Sequence, residues 1–392
     1  MPKKKAVDVY ALALANDCYR WSCSTFFAWT FFALAFQRDF LYGRYGAEGV
    51  IFSCTGAVQT VFSYAGDVYY LQLNQAFWPD IVLATTLVSW AVRLHHAEWA
   101  FRASIAVSGA FFGSAIYLNH AKKHPKWWYC HIGWHMLPLE LYLTLTPVAF
   151  GGLDRVLVWT YVWALVVLAV GGVAAFARTT EAHDAHAVLA SAAVLAAGFR
   201  DDPYPSSVAA LTFSAGYFLV DLFCCLRERD WMFAGHHAAT LLLVGACLRE
   251  PEETLVLGAR ALLVELSTPL LHHWQKRDTA ATFALFLAAF FAARCCYLPL
   301  LTLEILRRVS DARAAVLVAL NALQFAWFGK FVHMYLTGAS YASSKPAWIK
   351  TGVAAAPESP AAPAARKPRA RAPAADAAPT PRRSSRLAAK AR

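Results

Sequence analysis

The stretch FAGHHAATLLL, residues 233–243, sets two adjacent histidines inside a run otherwise fit for lipid. An ionisable group in hydrocarbon is costly, so such a pair needs a partner or a cavity. His236 and Thr240 are four residues apart and share one helix face, whereas His237 is turned away by about 100°. The neighbouring runs carry acids. AGYFLVDLF brings Asp221 before the pair, and LLVELSTPLL brings Glu265 after it, four residues ahead of Pro269. Three consecutive runs therefore bring carboxylate, imidazole pair and carboxylate to similar depth.

The whole chain explains why depth is the right word. It has 392 residues, 58% hydrophobic and 16% charged, a balance that excludes an ordinary soluble domain. Long apolar runs separated by short polar bends predict an all-α, polytopic membrane protein, because in lipid each run must satisfy its own backbone. About twelve transmembrane helices are expected, near 20–37, 48–73, 79–94, 100–118, 127–148, 155–177, 184–199, 207–227, 232–248, 255–272, 279–303 and 312–338. They divide into an N-terminal module (1–150) and a C-terminal module (155–340). Twelve crossings with the N-terminus inside put Lys122, Lys123, Lys126 and Lys276 on the cytosolic side, as the positive-inside rule demands, so both termini are expected in the cytosol. The opening MPKKK, followed by Asp8 and Asp17, predicts no cleavable leader. The nine cysteines show no Cys-x-x-Cys spacing and read as free thiols packed among apolar side chains.

From residue 343 to 392 the composition changes to Ala, Pro and basic residues, with eleven Lys/Arg against Glu358 and Asp376. That segment reads as a disordered basic tail suited to anionic lipid headgroups. Nothing in it reads bases, so no specific nucleic acid is expected. The halves show no internal repeat, which disfavours an inverted-repeat transporter.

Residues 155–340 resemble the TLC domain of ceramide synthases, translocation-associated membrane proteins and related lipid-handling proteins. SAGYFLVDLF, GHHAAT, VELSTPLLHHW and LNALQFAWFGKFVHMY carry the likeness. The resemblance implies membrane lipids as partners, the endoplasmic reticulum as location, and acyl-CoA as co-substrate for acylation of a sphingoid-type amine. His236, His237, Glu265 and Asp221 would then be catalytic, and Tyr217, Thr240, Ser267 and Lys330 would meet the substrate. The ceramide-synthase pattern continues with His-Asp-x-x-Asp; here the window reads LLVELSTP, so Glu265 replaces one acid and the second is missing. A non-enzymatic lipid-binding or composition-regulating protein is the alternative. His272 and His273 read as interfacial, and His95 and His96 as solvated bends.

In the N-terminal module, WWYCHIGWHMLPLELY puts His131 and His135 four apart, a spacing that lets two imidazoles share one metal. FSYAGD adds Ser63 and Asp67, and WPDIVL adds Asp80. The set is similar to the CREST superfamily of membrane hydrolases, which implies zinc and a metal-held water for attack on an amide or ester. Asp67 stands where that pattern has histidine, and about five helices are expected where the family has seven. Zinc at Asp67, His131 and His135 is thus the expectation. The aromatic residues around the histidines also read as a membrane-interface belt.

Overall fold

A computed structural model describes residues 16–69, 76–95, 97–118, 127–171, 179–309 and 311–338. The basic segment 343–392, His96 and the lysines at 3–5, 122, 123 and 126 lie outside them. Among the described residues every regular element is helical.

In chain order these are α1 (Asp17–Ser22), α2 (Thr25–Phe36), α3 (Arg38–Tyr45), α4 (Ala47–Tyr64) with a π-turn at Ala65–Tyr69, α5 (Phe77–His95), α6 (Trp99–Ile116), α7 (Trp127–His135) and α8 (Leu137–Leu145). The second half continues with α9 (Leu153–Gly171), α10 (Thr180–Ala197), α11 (Tyr204–Glu228) and α12 (Trp231–Cys247). It ends with α13 (Glu252–Arg277), α14 (Ala280–Leu306) and α15 (Ala312–Thr337). Each of the twelve apolar runs contains helix. Among the described residues six segments are long and apolar enough to cross a membrane: α6, Phe150–Val170, α11, α13, α14 and α15; α12 is a shorter apolar helix. The outer surface is greasy, with Trp99, Phe199 and Leu336 each more than three-quarters exposed, as suits a hydrocarbon surround.

Local sequence explains the breaks. Five runs were expected before residue 150, and the described residues there form eight α-helical pieces. Gly46 at φ 60° ends α3, and a turn at Cys23 and Ser24 separates α1 from α2. The run over 127–148 divides at Met136, with Pro138 in the first turn of α8. Asn16 caps α1 by accepting from the Cys18 and Tyr19 amides. Pro269 has no N–H for the Glu265 carbonyl, and the preceding turns tighten into a 3₁₀ segment, Ala261–Ser267, with the Thr268 amide bonding back to Glu265. Pro299 follows a π segment, Phe291–Tyr297, in the same way.

One helix joins the halves. α9 packs on α11 and also on α1 and α2. Its Val158 belongs to the core of Phe32 and Tyr142, and its Trp163 to the core of Leu211 and Tyr217. The α9–α11 crossing is close at Gly216, where a Cβ would stand 2.5 Å from Trp159 Cβ. At the start of α9, Asp154 is fully buried and accepts from Tyr142 Oη at 3.0 Å and from the Ala149 amide at 3.1 Å. His95 is not a solvated bend: it is 7% exposed, at the end of α5, with Nδ1 3.1 Å from Tyr45 Oη. An aromatic wall there shields the imidazole from solvent.

Candidate functional site

In the C-terminal bundle α11, α12 and α13 bring the expected residues together, with a division of labour. His237 Nε2 lies 2.7 Å from Asp221 Oδ2, both buried. The His237 ring stacks on Phe218 at 5.5 Å, and His236 sits edge-on to Trp327 of α15 at 5.4 Å. Glu265 turns elsewhere. Its Oε1 lies 3.3 Å from Arg294 Nη2, and Thr268 Oγ1 donates to Oε2 at 3.0 Å. Arg294, on the π segment of α14, also donates to Ser267 Oγ at 3.0 Å and Gln324 Oε1 at 3.2 Å. Of the two acids, Asp221 therefore supports His237, while Glu265 balances a buried guanidinium.

Two chambers meet at this point. One has a volume of about 160 Å³, has mainly apolar walls such as Leu243, Leu262 and Leu298, and runs to Glu250 and Arg313. The other, of about 140 Å³, is lined by His183, His237, His272 and Lys330 among aromatic side chains. Phe218, His236, Glu265 and Arg294 line both. His236 thus stands on the partition between an apolar space and a histidine-rich one. At the outer end of the first chamber Arg313 pairs with Glu250 and Asp311; its hydrogen bonds hold the Asp311 carboxyl below its ordinary pKa.

The remaining expected contacts sort simply. Ser267 and Lys330 line the second chamber and Thr240 the first, although the Thr240 hydroxyl donates to the His236 carbonyl at 2.9 Å. Tyr217 is buried behind the site and stacks on His186 at 4.1 Å. His272 is 3% exposed and pairs with Asp184 of α10, not an interfacial residue as expected. Tertiary packing of α10 against α13 supplies the acid that pairs with it.

The sequence reading missed Arg294, His183, His186 and Asp184. A lone arginine in FFAARCCYLPL, five residues before Pro299, was the available signal, since intramembrane charges need partners. His183 and His186 are three apart and share a helix face; nothing local ties them to α12 or α13.

In the N-terminal half, α4, α7 and the turn after α1 converge. Asp67 Oδ2 lies 3.3 Å from both His131 Nε2 and His135 Nε2, and the two nitrogens are 3.1 Å apart. Ligand atoms around a tetrahedral ion with bonds of ~2.0–2.1 Å stand ~3.3 Å from one another, so the triangle has the right edge. Protonation agrees. Ser22 Oγ donates its single proton to the Tyr19 carbonyl at 2.7 Å, so at 2.9 Å it accepts from His135 Nδ1. His135 Nε2 then presents a lone pair toward a carboxylate oxygen, an arrangement that a cation resolves. These three residues line a cavity of about 560 Å³ with Ser63, Asp80 and Trp134. Asp80 is bonded by Gln59. The residues therefore fit a divalent metal.

Residues 155–333 match the family model of the TLC domain. No curated protein and no solved structure matches the chain.

Proposed function

We propose, with a TLC domain over residues 155–333 as the premise, that this integral membrane protein of lipid metabolism transfers an acyl group from acyl-CoA to the amine of a sphingoid-type lipid. The observation that carries the reading is His236 on the partition shared by an apolar and a histidine-rich chamber. The apolar chamber suits the acyl chain, and the other suits the polar reacting groups. The amine nitrogen attacks the thioester carbonyl, a C–N bond forms and the C–S bond breaks. His236 takes the amine proton and returns one to the departing thiolate. The neighbouring His237, held by Asp221 at 2.7 Å, keeps its ring fixed and supplies compensating charge. Arg294 and Glu265 hold the partition closed to water as a paired, hydrogen-bonded unit. In this reading the chain crosses the endoplasmic reticulum membrane twelve times, with the histidine-rich chamber toward the cytosol, where acyl-CoA arrives.

The test incubates membranes containing the protein with labelled acyl-CoA and a panel of long-chain amines. Transfer lost in His236→Ala and in the His236→Ala/His237→Ala pair supports the reading. No transfer to any amine, with unchanged cellular lipid profiles in the mutant, favours a lipid-binding or composition-regulating role.

The Asp67–His131–His135 triangle favours a second activity. Zinc held there would supply a polarised water for hydrolysis of a lipid amide or ester. Ser22 orients His135 through Nδ1, and Asp80 and Ser63 face the same cavity as hydrogen-bonding groups for the substrate.

A further inference from the structure

The triangle has a fourth neighbour that the sequence spacing does not announce. Cys23 follows Ser22 on the turn between α1 and α2 and is fully buried. Its Sγ lies 4.0 Å from Asp67 Oδ2, and the Cys23 sulfur, an Asp67 oxygen and a His135 nitrogen all lie within 4.8 Å of one another. We propose that Cys23 is a metal ligand, so that Cys23, Asp67, His131 and His135 form a four-residue site for a thiophilic divalent ion such as zinc.

Three observations support this beyond proximity. The first is charge. A divalent ion with one carboxylate and two neutral imidazoles leaves a net +1 on the ligand set, and a thiolate brings that set to neutrality. The second is construction. One turn supplies both the hydroxyl that orients His135 and the adjacent thiol, so placing Ser22 also places Cys23. The third is access. Asp67, His131 and His135 line the cavity, whereas Cys23 is not among its walls, so the thiol approaches from the packed interior. Among the described residues Sγ otherwise donates to the Tyr19 carbonyl at 3.4 Å. Thiolate with imidazole selects zinc, cobalt or cadmium over magnesium or calcium. This inference rests on the metal reading of the Asp/His triangle; with Cys23 bound the ion has four protein ligands, so a water for hydrolysis would have to enter as a fifth.

The experiment uses the full chain in detergent, stripped with chelator and titrated with Co²⁺. The expected result is one Co²⁺ per chain, with a near-ultraviolet thiolate-to-cobalt charge-transfer band. Cys23→Ser should keep cobalt, lose that band and bind at least tenfold more weakly, with metal-free thermal stability unchanged. Co²⁺ bound by wild type without the band, or a band that persists in Cys23→Ser, overturns the cysteine ligand and leaves the triangle standing. Equal failure of wild type and His131→Ala to bind any Co²⁺ or Zn²⁺ overturns both.

Discussion

At the scale of single residues, the two acids of the TLC bundle behave differently because their neighbours differ. Asp221 has His237 within 2.7 Å, whereas Glu265 has Arg294, Thr268 and, at 3.9 Å, His183. Asp221→Asn should keep the fold and lower acyl transfer by about 10²-fold or more, the range of a perturbed acid–base group; turnover in matched membranes checks this. Glu265→Ala should instead reduce stability by about 3–5 kcal/mol, because it strands a buried guanidinium. Glu265→Met with Arg294→Met should recover most of that loss, and thermal unfolding in detergent reads both. Thr240→Ala should cost less than about 1 kcal/mol and little activity, since its hydroxyl bonds its own helix.

At the scale of elements, prolines place the charges. Glu265 and Arg294 both sit in helix segments that depart from α geometry ahead of Pro269 and Pro299. Pro269→Ala restores an amide donor to the Glu265 carbonyl, which should convert the 3₁₀ segment toward α-helix and rotate Glu265 off Arg294. The expected outcome is a lower unfolding temperature with helix content kept or increased, measured by circular dichroism. Gly216→Val tests the α9–α11 crossing. Its side chain would meet Trp159 backbone and Cβ atoms that cannot swing aside, so a loss of about 1–3 kcal/mol or more is expected.

At the scale of the molecule, the described residues belong to one compact unit, Met1–Gly352. The division expected near residue 150 runs beside a buried polar junction in which Gln37 and Tyr142 reach Asp154, and Arg155 Nη1 donates to the Tyr142 carbonyl at 3.2 Å. A chain beginning at residue 155 should therefore be less stable than the same segment co-expressed with residues 1–154. Comparing protease resistance of the two preparations checks this; equal resistance would show that the junction contributes nothing. The basic segment 343–392, made as a peptide, should bind anionic vesicles in a salt-sensitive way and ignore neutral ones.

The sequence by itself determined the helical, membrane-type class, the helix in each apolar run and the TLC character of residues 155–340, of which 155–333 match the family model, because apolar periodicity and a dense local motif are written along the chain. It also named Asp221, His236 and His237, and Asp67, His131 and His135, because titratable groups are scarce in apolar sequence and each stands out. Which groups actually touch was decided only by packing. That Glu265 belongs to Arg294, His272 to Asp184, and Cys23 to the Asp67 triangle depends on how α13, α14, α10 and the α1–α2 turn lie against their neighbours. Those pairings span 29, 88 and 44 positions of chain, and over such separations no local spacing rule sets a distance; only the burial that drives the helices together does.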